Sequence, residues 1–136
     1  MTTTGPVGDP PADVELRLPA DSAYVSVLRT TSAGLAARLD FTLDDIEDLR
    51  MAVGEASALV LPTAEAGTDL TCRFFMGPGR LTVVVSVEST TATPPDLDGF
   101  AWQVLTTLAG YASAAVAEGR YEITLTMQSE ARVVQD

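Results

Sequence analysis

Residues 42–61 read TLDDIEDLRMAVGEASALVL, and the reading of this stretch decides the fold. Ile46, Leu49, Val53, Ala56 and Val60 recur at three- and four-residue spacing, which is one buried stripe of an α-helix. Thr42 can cap the helix, and Asp44, Asp45 and Glu47 suit the positive end of its dipole. Pro62 stops it. A second face carries Asp48, Ala52, Glu55 and Leu59. Without further context a Glu on such a face is a solvated residue.

Toward the N-terminus, VELRL alternates Val14, Leu16 and Leu18 with Glu15 and Arg17, a half-buried strand closed by Pro19. Asp21 or Ser22 can cap a helix over 22–39, whose apolar set is Tyr24, Val27, Leu28, Thr31, Leu35 and Leu39. Toward the C-terminus, two β-rich runs, 69–76 and 80–87, flank MGPGR, a tight antiparallel hairpin turn around Gly77, Pro78 and Gly79. The polar, Pro-interrupted ESTTATPPDLD at 88–98 reads as a loop. A third helix starts around Gly99, with Trp102, Leu105, Leu108 and Ala112 at helical spacing, and YEITLTM at 121–127 is a last strand behind Gly119.

The order is strand, two helices, hairpin, helix, strand. It predicts an α+β two-layer sandwich, a mixed and mostly antiparallel sheet with three helices on one face. One domain spans 13–128, with flexible tails expected at 1–12 and 129–136.

Composition removes most reaction classes. The chain has no Asn, Lys or His, and all 8 of its basic residues are Arg. No Ser-His-Asp or Cys-His system and no His-containing zinc site can be assembled, and a P-loop lacks its Lys. No metal site is expected. Acids outnumber bases 19 to 8 for a formal charge of −11, which disfavours direct DNA or RNA binding and suits a basic protein partner. Cys72 is alone and reads as a small buried apolar residue in a reducing compartment. MTTTGPVGDPPAD has neither the basic nor the apolar region of a signal peptide, and no run reaches the length of a membrane span. The expectation is a cytoplasmic protein without membrane contact.

Four segments carry a resemblance. They are ARLDFTLDDIEDLRMAVGEA at 37–56, LTVVVSVES at 81–89, GFAWQVLTTLAG at 99–110 and GRYEITLTM at 119–127. In this order and spacing they resemble the RsbW-like anti-sigma factors and serine kinases of the GHKL (Bergerat) superfamily, in an actinobacterial form with degenerate nucleotide motifs. The resemblance implies the same two-layer fold, with a nucleotide held between the helical layer and a loop. Relatives carry a Glu and, four residues on, an Asn on one helix face, as general base and Mg²⁺ ligand. Here Glu55 is kept and the second position is Leu59. The loop Asp that accepts from adenine falls at Val87, or at Glu88 with a one-residue shift, and the following Gly falls at Ser89. Gly99 remains among the phosphate-loop glycines, but its partner position is Ala101, followed by Trp102.

Losing the adenine-binding Asp leaves a ligand group unpaired, at roughly 1–3 kcal/mol, and losing the amide removes charge neutralisation at the phosphates. The resemblance therefore implies an anti-sigma factor without kinase activity and without bound ATP or Mg²⁺. It would sequester an alternative, stress-response sigma factor and release it to an anti-anti-sigma factor of the STAS-domain type. A homodimer is expected. Arg29 aligns with an Arg that relatives use at the surface shared by both partners, and Tyr24, Val25 and Ser26 could widen that contact. Trp102 reads as core. The alternative is a working kinase, with Glu55 as base and Glu88 covering the lost Asp, that phosphorylates a Ser of its antagonist. A third reading is an interaction module for an unrelated partner.

Overall fold

The computed structural model describes residues 10–129. Its elements run β1 (Val14–Pro19), α1 (Val25–Arg38), α2 (Leu43–Val60), β2 (Asp69–Gly77), β3 (Arg80–Glu88), α3 (Phe100–Leu108), β4 (Tyr111–Ala117) and β5 (Arg120–Gln128). Single 3₁₀ turns, Ser22–Tyr24 and Leu61–Thr63, precede α1 and follow α2. The sheet has the order β1-β2-β3-β5-β4, and every neighbouring pair is antiparallel. The helices cover one face. The α+β sandwich is as expected; the mixed character of the sheet is not, since no described pair is parallel.

The helix read from residues 42–61 forms through its cap. Thr42 Oγ1 accepts from Asp45 N–H at 3.1 Å, and Asp45 Oδ2 accepts from Thr42 N–H at 3.2 Å, which closes a reciprocal capping box. Leu49, Ala52, Val53, Ala56 and Val60 are fully buried against the sheet and α1. Ala52 thus belongs to the core rather than to the outer face. In α1 the buried residues are Val25, Leu28, Ser32 and Ala36, while Val27 is 42% exposed. The predicted stripe was rotated by part of a turn, because small Ser32 and Ala36 are what allow α1 to approach α2. The helix ends with Asp40 in the left-handed region (φ 63°), so that Asp40 and Phe41 N–H return to Ala37 and Ala36 carbonyls.

The inner sheet face alternates as the strand pattern demands. Leu70, Cys72 and Phe74 of β2, Leu81, Val83, Val85 and Val87 of β3, and Ile123 and Leu125 of β5 are at most 2% exposed. The β2–β3 turn is Pro78-Gly79, with Gly79 at φ 64°.

The region 109–117 departs from expectation. The third helix stops at Leu108, and YASAAVA forms β4, an edge strand paired with β5. Its Ala and Ser residues carry little β signal, and Ala112 happened to continue the helical spacing. Glu118 (φ 55°) and Gly119 (φ 75°) make the two-residue turn that returns the chain into β5.

Of the expected tails, residues 1–9 and 130–136 lie outside the described residues. Ser129 is buried; its N–H donates to Gly79 O and its Oγ to Asp40 O. Ser129, one residue beyond the domain end drawn from sequence, is thus tied to both the hairpin turn and the end of α1. No helix among the described residues is long and apolar enough to cross a membrane.

Candidate functional site

The C-terminal end of α2, the segment 89–99, the start of α3 and Tyr121 of β5 enclose an open cleft of about 540 Å³. Its walls include Leu59, Pro94, Pro95, Phe100, Trp102 and Tyr121, with Thr63, Thr91 and Thr93 between them. Among the described residues, Asp96 is the one charged residue in the lining. Burial raises the pKa of the Tyr121 phenol above its ordinary value, so it stays protonated.

Local hydrogen bonds shape the loop side. Ser89 is 3% exposed, and its Oγ accepts from Thr91 N–H at 3.3 Å and Ala92 N–H at 3.1 Å. Thr90 Oγ1 donates to Glu65 Oε2 at 2.7 Å, which sets a second carboxylate beside the loop. Asp96 folds the segment onto α3: its carbonyl accepts from Gly99 N–H at 2.9 Å and its Oδ1 from Asp98 N–H at 3.0 Å. Gly99 is the N-cap of α3, and a Cβ there would lie 3.1 Å from the Asp96 carbonyl, so only Gly fits without displacing the turn.

The predicted pocket residues separate. Gly99 and Leu59 line the cleft. Glu55 is half-buried one turn before Leu59, and no described residue hydrogen-bonds or ion-pairs with its carboxylate. Val87 is 2% exposed and packed in the core. Glu88, the proposed substitute for the loop Asp, does not line this cleft. Alternation along β3 turns it to the opposite sheet face, where it lines a groove with Glu15, Arg17, Arg73 and Arg120. Trp102, expected in the core, is 7% exposed and does both jobs, packing inward and walling the cleft. Phe100, 85% exposed on the lip, was missed; an apolar residue outside the α3 stripe was its only signal.

The predicted partner residues lie at the start of α1. Tyr24 is 41% exposed and Ser26 is exposed, but Val25 is buried and cannot contribute its side chain to a surface. Val27, two residues on, is the exposed valine of this turn. Arg29 is half-buried, and its guanidinium lies on α2 at Gly54: a Cβ added there would be 2.6 Å from Nη2 and 3.0 Å from Nε. No described residue accepts a hydrogen bond from it or pairs with its charge. That leaves a planar cation with its donors unspent, on the helical side of a chain of charge −11.

No His, Cys, Asp or Glu group among the described residues is assembled to hold a metal ion. Cys72 is buried, and burial pushes its thiol up to about 12, so it is no nucleophile.

Comparison with known proteins gives no matching family model. The chain is similar to proteins named serine-protein kinase RsbW: 38% identical over 76 residues to that of Bacillus velezensis (54% of this chain, 48% of the relative), 35% over 91 residues to that of Halalkalibacterium halodurans (66% and 54%), and 36% over 78 residues to that of Bacillus subtilis (55% and 49%). The chain spans about half the length of the curated relatives it matches. Among solved structures it is similar to the RsbU and RsbW domains of Rv1364c from Mycobacterium tuberculosis, with a TM-score of 0.64 at 17% identity over 85% of this chain and 31% of that one.

Proposed function

From the premise that this chain is an RsbW-like protein of the GHKL superfamily, we propose that it works by binding and not by catalysis. It is an anti-sigma factor that holds an alternative, stress-type sigma factor and yields it when an anti-anti-sigma factor of the STAS type competes for an overlapping surface. Its working form is a homodimer in the cytoplasm.

The observation that carries this reading is the lining of the cleft. A triphosphate needs cations or a run of free N–H groups, and Mg²⁺ needs several oxygen ligands in near-octahedral array. Among the described residues the walls offer no Arg, a single carboxylate, Asp96, and Leu59 where relatives place an amide. The residues do not fit a magnesium nucleotide, and phosphoryl transfer has no place in this reading. Without it, the switch is reset by antagonist concentration or by another kinase.

Binding rests on Arg29. Its planar fork can meet a partner carboxylate bidentately, and Tyr24, Ser26 and Val27 flank it on the exposed side of α1. Two partners that both need this residue exclude one another, which is the physical basis of partner switching.

The test is affinity capture of the tagged chain from its native cells, followed by titration of the purified protein with ATP and Mg²⁺ in a calorimeter. A sigma factor recovered near one-to-one, with no heat from nucleotide, is the expected result. Saturable nucleotide binding with labelling of an antagonist Ser, abolished by Glu55→Ala, would establish the kinase instead. Cells shown to express a sigma factor and an antagonist, from which neither is recovered, would mean that the fold serves another partner.

A further inference from the structure

The same cleft has an apolar character that a vacated nucleotide pocket does not require. Phe100 stands 85% exposed on its lip and Leu97 beside it is 57% exposed, while Leu59, Pro95 and Trp102 continue the apolar wall inward. Large side chains so exposed and so clustered mark a contact surface. The charge around this surface has one sign. Asp96 is in the lining, Asp98 follows it in the turn, Glu65 is tied to Thr90, and no Arg among the described residues lines the cleft. By contrast Arg17, Arg73 and Arg120 lie on the far side of the sheet, in the groove with Glu15 and Glu88.

We propose that this cleft is a docking pocket for a segment of a partner protein that carries an apolar side chain next to Arg or Lys. The apolar tip would enter against Trp102 and Leu59, and the cation would meet Asp96 and its neighbouring carboxylates. The proposal rests on the reading that no nucleotide occupies the cleft. An apolar floor with an acidic rim favours this occupant over an acidic or purely polar one. Asp13 bonds Met76 and Ser129 bonds Gly79 at the hairpin end of the sheet, whereas the cleft lies at the Tyr121 end.

Trp102 is the only Trp in the chain and reports on this wall alone. The probe is a capped eight-residue peptide alternating Leu and Arg, titrated into the full chain while Trp102 fluorescence is followed. Gly-Arg and Leu-Glu peptides of the same length and ATP with Mg²⁺ are titrated in parallel. The expected result is a saturable change with Leu-Arg, at least tenfold weaker with either control peptide. Phe100→Ser should weaken it about tenfold and Asp96→Asn several-fold, with circular dichroism unchanged because both residues are exposed. Equal binding of Gly-Arg, undiminished binding to Phe100→Ser, or no Trp102 response to any peptide would overturn the proposal. A saturable response to ATP with Mg²⁺ would instead overturn the reading beneath it, whatever the peptides do.

Discussion

Gly54 decides where the Arg29 guanidinium lies. It sits in the interior of α2, where Ala would be the better helix former by about 1 kcal/mol, yet a Cβ would collide with the far end of Arg29. Gly54→Ala should therefore leave stability equal or raise it by up to about 1 kcal/mol in urea unfolding, since a flexible side chain can swing away. If Arg29 makes the partner contact, the same variant should lose about tenfold in affinity for the captured sigma factor, measured by titration calorimetry. Loss of stability together with unchanged affinity would remove Gly54 from the binding argument. Ser32 is a second residue at odds with its surroundings: fully buried in α1, its hydroxyl has no hydrogen-bond partner. A desolvated, unmade hydrogen bond costs on the order of 1 kcal/mol or more, so Ser32→Ala should raise the urea midpoint. A lower midpoint would show that the hydroxyl finds a partner in solution.

At the scale of elements, α2 is the most self-sufficient piece. Both arms of its capping box form, and its first turn carries Asp44 and Asp45. Thr42→Ala should cost about 1 kcal/mol of stability, read as a fall in the urea midpoint at unchanged slope. No loss would mean that tertiary packing alone holds the N-terminus. The strand β4 is the opposite case. Ala and Ser have little preference for strand over helix, and nothing in YASAAVA distinguishes an edge strand from a helix tail. What makes it a strand is the Glu118-Gly119 turn and the free edge of β5, both non-local to the residues that pair. That is why sequence reading extended α3 to Ala112.

At the scale of the whole molecule, pH acts through the core. The Cys72 thiol is neutral in the fold, its pKa raised by burial from 9.0 to about 12. A group with a raised folded pKa stabilises fully below its unfolded pKa and loses that contribution as pH climbs toward the folded value. Stability should thus fall by about 1.4 kcal/mol per pH unit from this group alone between pH 9.0 and about 12. The Tyr121 phenol, shifted the same way by burial, steepens the decline at the alkaline end. Urea midpoints from pH 8 to 10.5 should show this slope, and Cys72→Ala should start lower but decline less. Parallel decline in the two proteins would place the alkaline sensitivity elsewhere.

The sequence by itself determined the elements whose signals are local: the capped and striped α2, the Pro78-Gly79 hairpin, the alternating strands and the poverty of catalytic side chains. Periodicity and capping act within a few residues, so they can be read without knowing the fold. It also marked Leu59 and Val87 as departures from the pattern of the nucleotide-binding relatives. Only the tertiary structure decided which way neighbours point. It sent Glu88 to the far face of the sheet, turned Val25 inward and Val27 outward, laid Arg29 on Gly54 and gathered Phe100, Trp102 and Leu59 around one cleft. A one-residue shift along a strand, or a third of a turn on a helix, exchanges core for surface. Long-range packing sets that register, and no short window of residues contains it.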